Sequence, residues 1–346
     1  MTVYEIDPTR DERWDEFIET HPQASIFHTS GWLEALRRTY GYIPIAFTTS
    51  PPDSPIDNGL PFCQIASWVT GRRLVSLPFS DHCTPLVEDS KQLTCLLAYL
   101  RNKLAHERWR YIEIRPTTSI TENCADFGTS RRFYLHKLNL GPNLDDILHS
   151  FHKDCVQRKI HRSWKEGVVD EKGTSDSLLT KFYELLVKTR RRHGLPAQPF
   201  DWFRNLVACL GERVRIRVAS KDGRPIASIL TLSHKYTLTY KYGCSEQRFN
   251  KLGGMQLLLW NAVQDAKNNS LSELDMGRSD SDDAGLIAFK DRWGTTRAEL
   301  VYVRYPINNT ASCPAATQGW VSKYLWSHAP GGLLAAVGRA LYKHMG

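Results

Sequence analysis

The chain has 346 residues, enough for one large hydrophobic core or two of ordinary size, and its 41% hydrophobic and 11% aromatic content is typical of a globular protein. No apolar stretch approaches the roughly 18–20 residues of a membrane-spanning helix, and the acidic N-terminus has no apolar signal segment. The net charge of +8 favours anionic partners such as nucleic acid, phosphate-rich cofactors or anionic lipid, although a basic surface that only confers solubility is an equal alternative.

The first half of the chain alternates between helical and strand patterns. Trp32, Leu33 and Leu36 share one face at helical spacing, and the stretch YIEIR alternates with a period of two. Helices are predicted at 8–21, 30–40 and 89–106, and strands at 2–6, 42–48, 60–68, 111–115 and 132–138.

The second half shows the same order of patterns. Asp222-Gly223 is a hairpin signal between two alternating segments. Helices are predicted at 175–192, 202–210, 252–268 and 282–292, and strands at 214–220, 225–233, 236–242, 273–276 and 298–304. Each half therefore gives helices, then antiparallel strands, then a strand–helix–strand unit.

This repeated order predicts an α/β protein of two similar domains, each with a mixed, largely antiparallel sheet. The predicted limits are 1–150 for the first domain, 151–167 for a basic linker helix, 168–310 for the second domain and 311–346 for an amphipathic helical tail. The tail is basic between 320 and 345 and has no acidic residue there. It is expected either to lie on the inner membrane surface or to dock on the second domain.

The eight cysteines form no C-x-x-C pair and show no zinc-ligand spacing with histidine. Reduced thiols in a cytosolic protein without a metal site are the expectation.

Four segments carry a family resemblance: FHTSGWLEALRRTYGY, RRLVSLPFSDHCTPLV, GGMQLLLWNAVQDAKNNSLSELDMGRS and FKDRWGT. In their order and spacing between residues 10 and 305 they resemble the FemAB-like proteins of the GNAT acyltransferase superfamily, which carry two tandem GNAT-like domains. D-x-G-R-S and F-K-x-x-W-G are the strongest parts of the match.

The resemblance implies a bacterial enzyme that transfers an acyl or aminoacyl group to an amine of a cell-envelope precursor. The donor would be acyl-CoA or aminoacyl-tRNA, with no metal. Cytoplasmic location, with peripheral contact to the inner membrane through the tail, is the matching expectation.

Two departures bear on the acceptor. Leu36 stands where peptidoglycan-modifying members carry a substrate-binding lysine, with Arg37 beside it, and the long helical hairpin of some staphylococcal members is missing. Two alternatives therefore stay open. One is acyl-CoA-dependent acylation of a sphingoid-like or other lipid amine, and the other is a catalytically degenerate tandem that binds a polyanion.

Lys290 is the candidate for stabilising the oxyanion of the tetrahedral intermediate. It borders the apolar side of its predicted helix, to which Phe289 and Trp293 belong. Phe289 and Trp293 are predicted substrate contacts. The resemblance places the matching lysine at the reacting carbonyl or a nearby phosphate. The alternative is a lysine that extends into solvent.

Asp81 is the candidate for taking the proton of the attacking amine. The resemblance makes the Ser80–His82 region face the acceptor, so Ser80, His82 and Arg37 are predicted acceptor contacts. Arg278 is a further predicted substrate contact, because its guanidinium suits bidentate binding of a phosphate or a carboxylate. The alternative for Asp81 is a turn aspartate that bonds its own backbone.

Arg248, Lys251, Gly253 and Gly254 precede a predicted helix where a GNAT protein presents its pyrophosphate loop. The free N–H groups of a helix N-terminus suit an anion. Coenzyme A phosphates or the end of a tRNA would fit, and a simple glycine turn is the alternative.

Overall fold

The computed structural model of the chain describes residues 1–68, 71–120, 126–307 and 341–344. These divide into two compact units. Unit 1 contains Met1–Phe133, the segment from Glu299 to residue 307, and residues 341–344, whereas unit 2 contains Tyr134–Ala298. The last strand of the chain therefore contributes residues to the unit that the first half of the chain builds.

A mixed sheet forms the framework of unit 1. Its strands are β1 (Tyr4–Ile6), β2 (Ile43–Thr48), β3 (Leu60–Ser67), β4 (Gly71–Val75), β5 (Ile112–Ile114) and residues 299–305 of β12 (Thr296–Tyr305). They lie in the order β1-β2-β3-β4-β5-β12. The pairs from β1 to β4 are antiparallel, β5 is parallel to β4, and β12 is antiparallel to β5.

The helices of unit 1 begin at capping side chains. They are α1 (Glu12–Thr20), α2 (Ser30–Tyr40) and α3 (Ser90–Glu107). Asp11, Thr29 and Asp89 each accept a hydrogen bond from a backbone N–H of the first turn. Helix α3 places a leucine stripe, which includes Leu96 and Leu100, in one core with residues of β2, β3 and β5.

Unit 2 contains a second mixed sheet. Its strands are residues 134–139 of β6 (Gly128–Asn139), β7 (Val169–Gly173), β8 (Val214–Lys221), β9 (Arg224–His234), β10 (Thr237–Ser245) and β11 (Glu273–Asp280). They lie in the order β6-β11-β10-β9-β8-β7. The pairs from β7 to β10 are antiparallel, and β11 is parallel to β10.

Helices pack on this second sheet and complete its core. They are α4 (Leu144–Ser150), α5 (Arg158–Lys165), α6 (Asp176–Arg192), α7 (Phe200–Leu210), α8 (Gly254–Asn268) and α9 (Ala284–Asp291). Leu257, Leu258 and Val263 of α8 are buried with residues of β9 and β11. Helix α8 connects β10 to β11 in the chain. It packs against the sheet because one of its faces is apolar.

The two units repeat one arrangement. In each, four antiparallel strands (β1 to β4, and β7 to β10) are followed by a helix (α3 or α8) and then by a strand parallel to the last of the four. A parallel pair needs a crossover connection, which the helix provides. The α/β class and the tandem repeat predicted from the order of elements are confirmed.

The predicted linker segment 151–167 lies within unit 2. A π-helical turn at Lys153–Gln157 leads into α5, and Val156 and Ile160 are buried in the unit 2 core. Trp164, placed on the apolar face by the helical spacing, is 48% exposed instead. The two compact units do not test where independently folding domains begin and end. The predicted domain limits therefore stay a prediction.

Some element bounds differ from the predicted ones. Strand β4 and helix α4 are not among the predicted elements, and β11 continues four residues beyond its predicted end at Met276. The Asp222-Gly223 hairpin is confirmed, since both residues have positive φ angles of 49° and 72° between β8 and β9. Most of the predicted tail lies outside the described residues.

Two glycines with nearly equal φ angles make a matched pair. Gly253 has φ +76° and a Cβ there would lie 2.2 Å from the Lys159 carbonyl oxygen, whereas Gly223 has φ +72° and open space. Gly253→Ala should lower the free energy of unfolding by at least about 1 kcal/mol more than Gly223→Ala, because only it adds a steric clash to the backbone strain. Urea unfolding measures both, and equal losses would contradict the packing of α5 against this glycine.

Candidate functional site

Unit 2 contains a cavity of about 760 Å³. Residues of α6, β10, α8 and α9 line it, and its size lies in the range of small-molecule sites. Strand β10 is irregular at this point, because its register with β9 shifts between Tyr240 and Tyr242. Both tyrosines and the intervening Lys241 line the cavity.

The N-terminus of α8 opens onto this cavity. Gly253 occupies the N-cap with φ +76°, and Gly254, Met255 and Gln256 of the first turn line the cavity. The N–H groups of a first turn have no acceptor within their own helix, and they give this end a partial positive charge. The wall formed by α8 therefore suits an anionic group.

Basic side chains add to this positive wall. Arg190 and Arg192 of α6 and Lys159 of α5 line the cavity, as does the carboxylate-bearing Asp283. Within the described part of the chain, no carboxylate forms an ion pair with Arg190. Burial, and then the charges of Arg192 and Arg190, lower the pKa of His193, which also lines the cavity. Lys159, Arg190 and Arg192 therefore border one cavity.

The four predicted cofactor residues have different positions. Gly254 lines the cavity directly and Gly253 caps its helix. Arg248 forms an ion pair with Glu246 at 3.6 Å and its guanidinium lies over the Phe249 ring, while Phe249 itself lines the cavity. Lys251 is exposed. The structure thus brings Gly254 to the cavity, with Gly253 next to it in the chain, and the cofactor contacts of Gly253, Arg248 and Lys251 stay a prediction.

Helix α9 places two consecutive residues in different surroundings. Phe289 lines the cavity, but Lys290 does not belong to the described residues that line it. Lys290 is 3% exposed, and its ammonium donates to the carbonyl oxygens of Gly277 at 2.9 Å and Arg278 at 2.7 Å. The alternative of a solvated lysine at the helix edge is therefore wrong.

Strand β11 presents these two carbonyls through a local change of backbone direction. Gly277 has φ +70°, which glycine adopts without a Cβ penalty, and its N–H donates to the buried Asp275 carboxylate at 2.7 Å. Arg278 follows and is half-buried. The D-x-G-R-S motif therefore supplies the hydrogen-bond acceptors for the lysine of the F-K-x-x-W-G motif.

The end of that second motif packs against the segment after α4. Trp293 is fully buried, with its ring centroid 4.9 Å from that of Phe151. Gly294 has φ +68°, and a Cβ there would lie 2.7 Å from Ser150 Oγ. This packing gives Trp293 a structural role, and its predicted contact with substrate stays a prediction.

His136 of β6 lies near enough to Lys290 for the lysine's charge to affect its pKa. It is fully buried, its Nδ1 lies 3.4 Å from Asp291 Oδ1, and neither ring nitrogen has a hydrogen-bond partner among the described residues. Burial, and next the charge of Lys290, lower the pKa of His136 to about 4. No motif or spacing in the strand sequence indicated this histidine.

The predicted acceptor residues lie in unit 1. Ser80 is buried and its hydroxyl donates to the Leu77 carbonyl at 2.7 Å, and His82 packs edge-on against the Phe27 ring. Asp81 lies between them and is half-buried. Arg37 of α2 forms an ion pair with Glu34 at 2.7 Å. Their predicted contacts with substrate stay predictions.

The chain is similar to known proteins in sequence and in fold. A family profile described as the acetyltransferase (GNAT) domain matches residues 153–290. The UDP-N-acetylmuramoylpentapeptide-lysine N(6)-alanyltransferase of Weissella viridescens is 21% identical over 321 residues, which cover 82% of this chain and 89% of the relative. The crystal structure of FemX superposes with a TM-score of 0.72 at 16% identity, over 89% of this chain and 98% of FemX.

A tandem GNAT protein from the clavulanic acid biosynthesis pathway also has the same fold, with a TM-score of 0.55 at 11% identity, over 88% of this chain and 97% of that one. The chain therefore has the fold of FemX, and its residues 153–290 match the GNAT acetyltransferase domain. The profile match spans unit 2 from the turn before α5 to Lys290, so it includes the residues that line the cavity.

Three further observations concern thiols, metals and membranes. Six cysteines are free thiols in the described ranges, and burial raises the pKa of Cys83 to about 12. Among the described side chains, no group of three or more His, Cys, Asp or Glu residues is arranged to hold a metal ion. Within the same ranges, no helix combines the length and apolarity needed to cross a membrane.

Lys290→Met should lower the free energy of unfolding by about 1.5–3 kcal/mol, because two carbonyl groups lose a charged hydrogen-bond donor in a buried place. Lys267 is the matched control, since its ammonium also donates to a carbonyl, that of Gly141 at 2.9 Å, but near the surface. Lys267→Met should change stability by less than about 0.5 kcal/mol. Urea unfolding compares the two, and equal effects would contradict the structural role of the Lys290 ammonium.

The lowered pKa of His136 predicts a pH effect on stability. Between its ordinary value of 6.5 and about 4, the unfolded state binds a proton that the folded state excludes. The stability that this histidine contributes is thus complete above pH 6.5 and is lost as the pH falls toward 4, by about 2–3 kcal/mol. Lys290, Asp291 and Arg297 are the charged groups that act on it.

His136→Gln isolates this effect from all other titrating groups. The wild-type protein should lose more unfolding free energy than His136→Gln when the pH falls from 7 to 4, as measured by urea unfolding at several pH values. If the unfolding free energies of the two proteins fell in parallel with pH, the pKa of His136 would be the same in the folded and unfolded states, and the prediction would be wrong.

Proposed function

We propose that this FemAB-like protein transfers an acyl or aminoacyl group from an activated donor to an amine of a cell-envelope precursor. The observation that carries the proposal is the cavity of unit 2, where the α8 N-terminus, Arg190 and Phe289 meet within the region matched to the GNAT family. The name of the Weissella relative, an alanyltransferase acting on the lysine of a UDP-N-acetylmuramoylpentapeptide, supports a precursor amine as acceptor.

The proposed reaction is an acyl transfer. The neutral amine nitrogen attacks the carbonyl carbon of a thioester or an ester, and the carbonyl oxygen becomes an oxyanion. The intermediate then expels the thiolate of coenzyme A or the terminal ribose hydroxyl of tRNA. The nitrogen loses one proton, and the leaving group is protonated, so the products are an amide and a free thiol or hydroxyl.

For unit 2 we propose that Lys290 stabilises the oxyanion. An ammonium that two carbonyls already hold in place needs little reorganisation when charge develops nearby, and its field is stronger in a buried environment than in water. The family resemblance of the F-K-x-x-W-G motif supports the same role. The adjacent Phe289 would contact the donor where it lines the cavity.

For unit 1 we propose that Asp81 accepts the amine proton. Its neighbours Ser80 and His82, together with Arg37, would contact the acceptor, as the resemblance implies. A carboxylate within hydrogen-bond reach of an ammonium favours proton loss from the amine in the transition state.

The cavity is proposed to bind the phosphate-bearing end of the donor. The first-turn amides of α8, with Gly253 and Gly254, would bind one phosphate, and Arg190 would supply a paired guanidinium contact. Both acyl-CoA and aminoacyl-tRNA carry such phosphates. The likeness to an alanyltransferase favours aminoacyl-tRNA.

We propose a cytoplasmic location, where activated donors are available. Leu341 to His344, at the end of the predicted tail, contact unit 1: the Tyr42 hydroxyl donates to the Tyr342 carbonyl at 2.8 Å, and His344 Nδ1 lies 2.9 Å from Ser67 Oγ. These contacts support docking of this end of the tail on the protein, but within unit 1 and not on the second domain as predicted. Contact of the tail with a membrane surface stays a prediction.

A donor–acceptor assay tests the function. The purified protein is incubated with radiolabelled acetyl-CoA or with charged tRNA, and with UDP-N-acetylmuramoylpentapeptide or a sphingoid amine as acceptor. Mass spectrometry of an amide product identifies the pair that reacts. The proposal fails if no pair reacts while the protein binds RNA in a salt-sensitive manner, as the polyanion-binding alternative requires.

Arg190→Gln should raise the KM for the reactive donor about tenfold or more, because one charged contact to a phosphate is lost. Arg204→Gln is the matched control, since Arg204 does not line the cavity and is already paired with Asp201 at 2.7 Å. The control should keep the wild-type KM. If Arg248→Gln were the damaging variant, the phosphate contact would belong to the loop before α8 instead.

A further inference from the structure

We infer that Tyr302 is a positioning residue, which holds the loop carrying Asp81 through one hydrogen bond from a distant part of the chain. The Tyr302 hydroxyl donates to the backbone carbonyl of Asp81 at 2.6 Å. Tyr302 lies on β12, more than two hundred residues after the loop, and both belong to unit 1. The inference rests on the proposed role of Asp81.

The loop needs external support because its backbone is strained. It connects β4 to the segment before α3, and its residues Leu77 and Phe79 have φ angles of +55° and +62°. Side chains larger than glycine rarely adopt such angles, and each costs roughly 1–3 kcal/mol, so the surroundings must hold them. Phe79 packs against the rings of Tyr40 and Tyr42.

A buried charged network holds the base of the same loop. Arg115 donates from one guanidinium nitrogen to the carbonyls of Leu77 at 2.9 Å and Ser80 at 3.4 Å. Its other nitrogens donate to Glu113, which also accepts from Arg304 at 2.8 Å. Although burial disfavours a charged carboxylate, these two arginines lower the pKa of Glu113 below its ordinary value.

Tyr302 belongs to this network as well as to the loop. Its ring lies under the Arg115 guanidinium, with 5.1 Å to the ring centroid, and packs on Phe133. Its side chain is almost fully buried, so its hydroxyl has one fixed direction, toward the Asp81 carbonyl. The hydroxyl therefore binds the carbonyl of Asp81, whereas Arg115 binds the carbonyls of Leu77 and Ser80, which precede it in the loop.

Fixing the Asp81 backbone sets where its carboxylate can reach. A displacement of about 1 Å in a reacting group can cost about a hundredfold in rate, even when binding is unchanged. Tyr302 thus acts through Asp81 on the rate of proton transfer, and it does not itself contact the substrate.

Tyr302→Phe is the test, because it removes the hydroxyl and keeps the ring packing on Phe133 and Arg115. The kcat should fall about tenfold or more, with the donor KM unchanged. Hydrogen exchange should also become roughly fivefold faster or more at the amides of Ser80 and Cys83, which the loop hydrogen bonds protect. Amides of α3 should exchange as in the wild type.

Tyr99→Phe is the matched control. The Tyr99 hydroxyl also donates one hydrogen bond within unit 1, to Glu5 at 2.6 Å, but at the surface and away from the loop. It should leave kcat and the exchange of Ser80 and Cys83 unchanged.

The two readouts separate the possible failures. If the wild-type protein transfers nothing, the proposed function fails, and hydrogen exchange alone then decides whether Tyr302 positions the loop. Unchanged exchange at Ser80 and Cys83 in Tyr302→Phe would overturn the inference, whatever the activity. In an active protein, faster loop exchange with an unchanged kcat would overturn it too, because the loop position would then not serve the reaction.

Discussion

The buried ammonium of Lys290 is the interaction on which the candidate site of unit 2 depends. A charge with 3% exposure is stable in a protein only when strong acceptors replace its water, and the carbonyls of Gly277 and Arg278 do this. Gly277 can turn its carbonyl toward the lysine because its positive φ carries no Cβ penalty. These hydrogen bonds join α9 to β11. Phe289, the residue before Lys290, lines the cavity.

The two units share one topology but differ in the segment that follows the fourth antiparallel strand. Both have four antiparallel strands, a crossover helix and a parallel strand. In unit 2 the crossover helix begins with two glycines, and its first turn lines a cavity that Arg190 and Arg192 also line. In unit 1 the segment between β4 and α3 is a strained loop, which Arg115 and Tyr302 hold through hydrogen bonds. The same topology therefore supports a basic cavity wall in one unit and a hydrogen-bonded loop in the other.

Much of the fold could be predicted because its signals are local. Helical spacing and two-residue alternation report on neighbours within one element, and the Asp222-Gly223 turn is encoded by two residues whose positive φ angles fit a tight hairpin. Part of the site was equally accessible. Gly254 and Phe289 come from different segments of the family resemblance, and the structure places both on one cavity.

The sequence by itself determined the fold class and the repeat of element order, since both depend on patterns along the chain. Only the tertiary structure decided which neighbouring side chains share an environment: Phe289 lines the cavity while Lys290 is buried against β11. It also decided that Arg190 and not Arg248 lines the cavity, and that Tyr302 meets Asp81. The physical reason is that side-chain direction and long-range contacts are set by packing between elements, which no local period records.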